Sequence, residues 1–189
     1  MSRLTKLSLF VLVSFPTISH AILITGTITD WDEFASVQVI GDGTNSVTAF
    51  WSINTFDRGF FFGSTWTGDS DVAWASGVSD ISEITNASSL SFTNTNISSS
   101  LCDADCAANG VGEFVVWRNT TSGYFGVLRI DDIVIPAGGL ATDATLNGTW
   151  WFQTDGTGNF ASVPEPTTLS LLGAGLFGFG LMRRRKRVE

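Results

Sequence analysis

Carboxylates are the side chains in this chain that could carry out chemistry. Residues 22–162 contain neither lysine nor histidine, because both lysines lie near the termini and the one histidine is His20. This composition excludes a Ser-His-Asp or Cys-His nucleophile, a Walker or Schiff-base lysine and a histidine-ligated zinc from that stretch. Cleavage of a glycosidic bond needs only two carboxylates, one protonated and one ionised. The candidates are Glu33, Glu83 and Glu113, and nothing in the sequence brings two of them within reach of one bond.

Paired acidic residues beside turns could offer oxygen ligands to calcium. The pairs or groups are Asp30/Asp32/Glu33, Asp69/Asp71, Asp103/Asp105 and Asp131/Asp132. None has the ligand spacing of an EF-hand loop, and aspartate is also an ordinary turn former between strands. We therefore expect no cofactor and no metal, with a weak extracellular calcium site as the alternative.

Seven tryptophans, all within residues 22–162, could either fill a core or stack on sugar rings. Trp31 and Trp66 stand beside aspartate and turn residues, so we expect them to be exposed and name them as candidate carbohydrate-binding residues. Trp117 and Trp151 lie in strongly apolar runs and fit a core role.

The elements that must position these residues are β-strands. No run of ten or more residues has helical spacing with caps, whereas short runs of Val, Ile, Thr, Phe and Trp alternate with Gly, Asn, Asp and Ser. Strands are predicted at residues 22–29, 35–40, 47–53, 59–62, 72–75, 90–97, 113–118, 124–130, 133–135 and 150–154. The clearest hairpin spans residues 113–130 and turns through a polar loop that ends at Gly123. The pattern predicts one all-β domain over residues 22–162, with a β-sandwich or jelly-roll-like architecture.

The N-terminus has the pattern of a secretory signal peptide over residues 1–21. Basic residues precede the apolar stretch 7–15, and Ser19 and Ala21 are small residues at the −3 and −1 positions of a cleavage site. Cleavage after Ala21 is expected, so that the mature chain begins at Ile22.

The C-terminus combines three features in a fixed order. They are Pro164-Glu165-Pro166, an uncharged Leu/Gly/Phe-rich span, and a basic cluster of Arg183, Arg184, Arg185, Lys186 and Arg187. Residues 163–189 thereby resemble the PEP-CTERM sorting signal, with a transmembrane helix whose basic end stays in the cytoplasm. The resemblance implies processing near the tripeptide by a membrane protease, an exosortase. It also implies a Gram-negative host with exopolysaccharide or biofilm machinery; a plain membrane anchor is the alternative.

Cys102 and Cys106 are the two cysteines of the chain. In an exported protein we expect them to form a small disulfide loop, with free thiols or a metal site as alternatives.

The charge of the domain bears on its partners. Residues 22–162 hold three arginines against 16 aspartates and glutamates, which argues against nucleic acid. We expect a protein that is anchored transiently in the inner membrane and then reaches the cell surface or extracellular matrix. There it would bind exopolysaccharide or surface proteins without catalysis. The alternatives are a carboxylate-dependent enzyme acting on matrix polysaccharide and a self-associating structural protein, which a long uncovered sheet edge would favour.

Overall fold

The computed structural model describes residues 22–33, 37–53, 59–98, 110–134 and 143–161. Within these ranges the chain forms ten β-strands and little helix. The strands are β1 (Leu23–Asp32), β2 (Gln38–Gly41), β3 (Ser46–Ala49), β4 (Trp51–Ile53), β5 (Gly59–Phe62), β6 (Ser70–Trp74), β7 (Asn96–Ser98), β8 (Phe114–Asn119), β9 (Phe125–Val134) and β10 (Thr145–Gln153). The helices are α1 (Ser64–Thr67) and two 3₁₀ turns, Ile81–Glu83 and Ala87–Ser89. The prediction of an all-β fold is confirmed.

Five strands form the main sheet, in the antiparallel order β1-β10-β9-β8-β6. The predicted hairpin is β8–β9, and Arg118 pairs with Phe125 next to its loop. The loop closes where the amide of Gly123 donates to the carbonyl of Asn119 at 2.9 Å. Gly123 has φ +76°, a left-handed conformation that favours glycine. The turn chemistry that the sequence predicted is therefore the chemistry that closes the hairpin.

Two smaller antiparallel sheets, β2-β3 and β4-β5-β7, contribute with the main sheet to one apolar core. Trp51, Phe61 and Trp117 are its largest buried side chains. The approach of the layers is close: a Cβ at Gly126 of β9 would lie 2.3 Å from Cγ2 of Val47 on β3. Glycine at position 126 is thus required for β3 to pack on the main sheet.

The other face of the main sheet is buried as well. Phe114, Val116, Phe125 and Val127 point to that face and form a second core with residues that follow β6 and with the buried Phe160. Both faces of β8 and β9 are therefore covered. Burial on both faces explains why β8 begins with the unbroken apolar run Phe-Val-Val-Trp instead of alternating apolar and polar residues.

Several strand boundaries differ from the sequence prediction. The predicted strand 47–53 is split at Phe50 into β3 and β4, and of 90–97 only the end belongs to a strand. The prediction 150–154 missed the first half of β10, since Asn147 and Gly148 are turn formers that here lie inside a strand.

Two bulges lie opposite the same place on β10. The β1–β10 register shifts between Ile28 and Trp31, where Asp30 has φ +50°. The β10–β9 register shifts between Asn147 and Gly148, which leaves Asp131 of β9 unpaired. The predicted strands 124–130 and 133–135 thus meet in one bulged strand, β9, as far as Val134, the last residue described there.

Some predictions fall outside the described residues. These are the signal peptide at 1–21, Cys102 and Cys106, and the sorting segment at 163–189. In the part of the chain that the structure describes, helices are all too short to span a bilayer.

Candidate functional site

Trp31 lies in the core, so the prediction that it is exposed is wrong. Its side chain is 3% exposed, and its ring packs edge-on against Trp51, with ring centres 6.2 Å apart. The reason is the bulge in β1. Ile28 faces the core, and regular alternation would point residue 31 away from it, but the extra bulge residue reverses the alternation and turns Trp31 inward.

Trp66 is exposed, as predicted, with 59% of its surface accessible. Its ring lies nearly parallel to that of Phe50, at 18° and 6.5 Å between centres. It meets Phe62 edge-on at 5.2 Å, and Phe62 in turn contacts Phe60. We call these four side chains, Phe50, Phe60, Phe62 and Trp66, the Trp66 platform. It is a group of aromatic rings supported from beneath by the sheet β4-β5-β7.

The backbone under Trp66 is held in place by short hydrogen bonds. The amide of Gly63 donates to the carbonyl of Thr95 at 2.6 Å, and the amide of Thr65 donates to that of Asn94 at 2.8 Å. A Cβ at Gly63 would lie 2.5 Å from a backbone oxygen, so the close approach requires glycine. The helix ends at Gly68, which has φ +88°. These hydrogen bonds hold the backbone that carries the indole ring.

Ser64, two residues before Trp66, is hydrogen-bonded to an ion pair. The Ser64 hydroxyl donates to Asp71 at 2.6 Å, and Arg118 contacts the other oxygen of Asp71 at 3.4 Å. Phe62 is tied to the core as well, because Nε1 of Trp117 donates to its carbonyl at 3.0 Å. The exposed ring of Trp66 thus lies close in sequence to polar groups that are held by β6 and β8 of the main sheet.

The phenylalanines of the platform were not among the predicted site residues. A signal for two of them was present, since Phe60, Phe61 and Phe62 are consecutive in a predicted strand. Side chains alternate along a strand, so Phe61 enters the core while Phe60 and Phe62 share the outer face.

Glu113 lines a cavity of about 270 Å³ beside the start of β8. The other lining residues are Trp74, Ala75, Ser76, Gly77, Val78 and Gly112. Partial burial raises the pKa of the Glu113 carboxyl above its ordinary value. The cavity is thus lined by both a tryptophan residue and a carboxyl whose pKa burial raises.

The other two candidate glutamates are engaged elsewhere. Glu33 is 7% exposed and accepts a hydrogen bond from the Ser52 hydroxyl at 2.8 Å, next to β4. Glu83 lies in a 3₁₀ turn, where the backbone amide of Ser79 donates to its carboxylate and lowers its pKa. Glu33, Glu83 and Glu113 therefore have different partners and surroundings.

The acidic pairs mostly accept hydrogen bonds from neighbouring side chains. Asp69 accepts from Ser70 at 2.7 Å, and Asp131 accepts from Arg129 and from Thr149, each at 2.6 Å. Across the described ranges, no three acidic, cysteine or histidine side chains group as metal ligands would. Asp103 and Asp105 lie outside those ranges.

The last residues that the structure describes make close contacts with the rest of the domain. The side chain of Gln153 donates to the carbonyl of Asn159 at 2.8 Å, and the amide of Phe160 donates to that of Ile84 at 2.9 Å. Residues 162–186 then match the family model of the PEP-CTERM protein-sorting motif. The chain carries a PEP-CTERM sorting signal. Searches of curated proteins and of solved structures returned no match to the chain.

The PEP-CTERM motif contains the predicted processing tripeptide Pro164-Glu165-Pro166. It also contains Arg183, Arg184, Arg185 and Lys186, while Arg187 follows directly. The motif implies an exported surface protein that is processed at the membrane, with an exosortase as its processing partner. It begins two residues after the buried Phe160, so the sorting signal follows the folded domain with almost no linker.

Proposed function

We propose that this PEP-CTERM protein is a non-catalytic component of the cell surface or extracellular matrix that binds exopolysaccharide through the Trp66 platform. The observation that carries the proposal is the exposure of Trp66, at 59%, on a backbone that hydrogen bonds hold rigidly. A large aromatic side chain usually lies in the core of a β domain, and an exposed one on a fixed support is typical of a binding surface.

The arrangement of the rings suits a sugar chain. The Trp66 ring lies at 18° to the ring of Phe50 and at 62° to that of Phe62, and its exposed surface is where a pyranose ring would stack. The Asp71 carboxylate, already bound by Ser64 and Arg118, offers a polar partner for sugar hydroxyls. Apolar stacking with a few fixed polar groups is the usual composition of a small-molecule site.

The negative charge of the domain limits which polysaccharides it can bind. The described residues hold two arginines against 13 aspartates and glutamates. Such a surface repels polyanions, so the ligand is a neutral or cationic polysaccharide and not an acidic one.

Affinity electrophoresis tests this proposal. The exported protein is run in native gels with and without exopolysaccharide purified from the medium of the producing strain. The parent protein is retarded, Trp66→Ala loses the retardation, and Trp66→Phe keeps part of it because a ring remains. Val39→Ala is the control, since Val39 is an apolar side chain of β2 that is 65% exposed. Full retardation of Trp66→Ala would reject the platform.

A second candidate function, a carboxylate-dependent enzyme, has one observation in its favour. Glu113 lines a cavity, and burial raises its pKa as a general acid requires. The described lining residues include only this one carboxylate, whereas glycosidase chemistry needs two. Incubating the protein with the same polysaccharide and measuring released reducing ends decides the question. An enzyme would lose this activity in Glu113→Gln and keep it in Glu83→Gln, and a parent protein that releases none is not a glycosidase.

The processing proposed for the two ends is tested by intact mass. Protein from membranes and from medium is compared after isolation from the producing strain. Export followed by exosortase processing gives a chain that starts at Ile22 and lacks Arg183–Arg187. If Cys102 and Cys106 form a disulfide, alkylation without reduction leaves both unmodified. A basic tail retained only in membranes would instead indicate a permanent anchor.

A further inference from the structure

Strand β1 is the outer strand of the main sheet, and in the described residues it pairs with β10 alone. The carbonyl of Ile22 accepts a hydrogen bond from the amide of Thr154 at 3.2 Å, which fixes the alternation along the strand. Even-numbered residues direct their backbone groups toward β10. The backbone N–H and C=O groups of Leu23, Thr25 and Thr27 therefore point to the open side of the sheet.

The opposite edge of the same sheet is closed. The amide of Val72 on β6 donates to the carbonyl of Thr93 at 3.0 Å, and the amide of Thr93 returns a hydrogen bond of 2.9 Å. The two edges thus differ, and β1 is the edge that can accept another strand.

The sequence of β1 is a palindrome around Gly26. Ile24-Thr25-Gly26-Thr27-Ile28 reads the same in both directions. Two copies aligned antiparallel about a twofold axis at Gly26 would pair Thr25 of one with Thr27 of the other at hydrogen-bonded positions. Ile24 would face Ile28 of the second copy at non-hydrogen-bonded positions, where side chains approach most closely. Each residue meets one of its own kind, so the strand is complementary to itself.

The side chains on this edge favour such pairing. Ile24 and Ile28 are half-buried, and pairing would remove more of their apolar surface from contact with water. Thr25 and Thr27 are exposed. Residues 22–29 have no charged side chain, in a domain that is otherwise strongly acidic, and they lack the lysine and proline that commonly protect an edge strand. The ring of Trp150 lies over Gly26, within 2.4 Å of where a Cβ would be, and so shields the glycine at the centre. The bulge at Asp30 ends the regular stretch.

We propose that two copies of this protein pair through β1, antiparallel about Gly26, and join their five-stranded sheets into one continuous sheet of ten. Because the contact is the same surface on both copies, it closes on itself and produces a dimer, not a filament.

Sedimentation of the exported protein and hydrogen exchange test the proposal together. The parent protein is expected to sediment as a dimer. The double variant Thr25→Lys/Thr27→Lys places like charges opposite one another and raises the dissociation constant of the dimer by more than about tenfold. Val39→Lys, the control, adds a charge at another exposed apolar position and leaves the dimer intact. A monomeric parent, open-ended oligomers or an unaffected double variant would each overturn the proposal.

Hydrogen exchange decides the geometry on the parent protein itself, even if the double variant does not fold. The amides of Leu23, Thr25 and Thr27 become protected as protein concentration rises, whereas those of Ile24, Gly26 and Ile28 are protected at every concentration. A dimer in which the odd-numbered amides of β1 exchange freely would place the interface elsewhere.

Discussion

The backbone amide of Asp30 donates a hydrogen bond of 2.8 Å to Oδ1 of Asn147. Asp30 lies in the bulge of β1, where φ is +50°, and Asn147 lies on β10 at the point where the pairing with β9 also shifts. One side chain therefore satisfies the amide that the bulge leaves without a partner in the ladder. The bulge in turn directs Trp31 into the core, so this contact supports the end of the strand.

Substitutions at the bulge should separate backbone strain from hydrogen bonding. Asn147→Ala removes the acceptor and is expected to lower the free energy of unfolding by about 1 kcal/mol. Asp30→Val puts a β-branched residue at positive φ and costs about 1–3 kcal/mol, whereas Asp30→Gly changes stability by less than about 0.5 kcal/mol because glycine adopts this conformation freely. Urea denaturation measures all three. Equal stability of the valine and glycine variants would contradict the left-handed conformation of Asp30.

Alanine substitutions of Trp117 and Trp66 compare the stability cost of losing a buried ring with that of losing an exposed one. Trp117 is fully buried and its Nε1 donates to the carbonyl of Phe62, so Trp117→Ala is expected to cost about 3–5 kcal/mol of unfolding free energy. Trp66→Ala removes an exposed ring and should cost less than about 1 kcal/mol, while it abolishes retardation by polysaccharide. If Trp66→Ala destabilised the fold as strongly as Trp117→Ala, the platform would be part of the core.

The contributions of Glu113 and Glu83 to the free energy of unfolding should change with pH in opposite directions. Burial raises the pKa of Glu113, so the unfolded chain loses this proton first and the stability that Glu113 contributes falls as pH rises from 4.5 toward the folded pKa. Glu113→Gln should therefore be more stable than the parent near pH 7 and lose this advantage near pH 3.

The hydrogen bond from Ser79 lowers the pKa of Glu83, so its stabilising contribution is present above 4.5 and is lost as pH falls through the folded pKa. Glu83→Gln should be less stable than the parent near pH 7 and equal to it in acid. Urea midpoints of both variants across this pH range provide the measurement. The same sign for both variants would contradict the two environments.

Phe160 should hold the last folded residues in front of the sorting signal. It is buried in the second core, and Phe160→Ala is expected to cost about 3–5 kcal/mol. Limited proteolysis should then cut between residues 154 and 161 at protease concentrations that leave the parent intact. Val111→Ala, at an exposed apolar position, is the control and should behave like the parent. Equal resistance of the Phe160 variant would show that other contacts fix this segment.

The sequence by itself determined the all-β class, the β8–β9 hairpin and the sorting signal. Each of these depends on local information: the alternation of side chains, turn residues such as Gly123, and three motifs in order. The exposure of Trp66 followed from its setting among turn residues.

Only the tertiary structure decided what depends on pairing between distant strands. Whether Trp31 faces the core depends on a bulge that forms against β10, more than a hundred residues later in the chain, and one extra residue reverses every later side chain. The grouping of Phe50 with Trp66 and the second buried face of β8 likewise come from packing. The palindrome at Gly26 is visible in the sequence. It matters only because the sheet order, among the residues that the structure describes, places β1 at an edge where its backbone groups can meet a second strand.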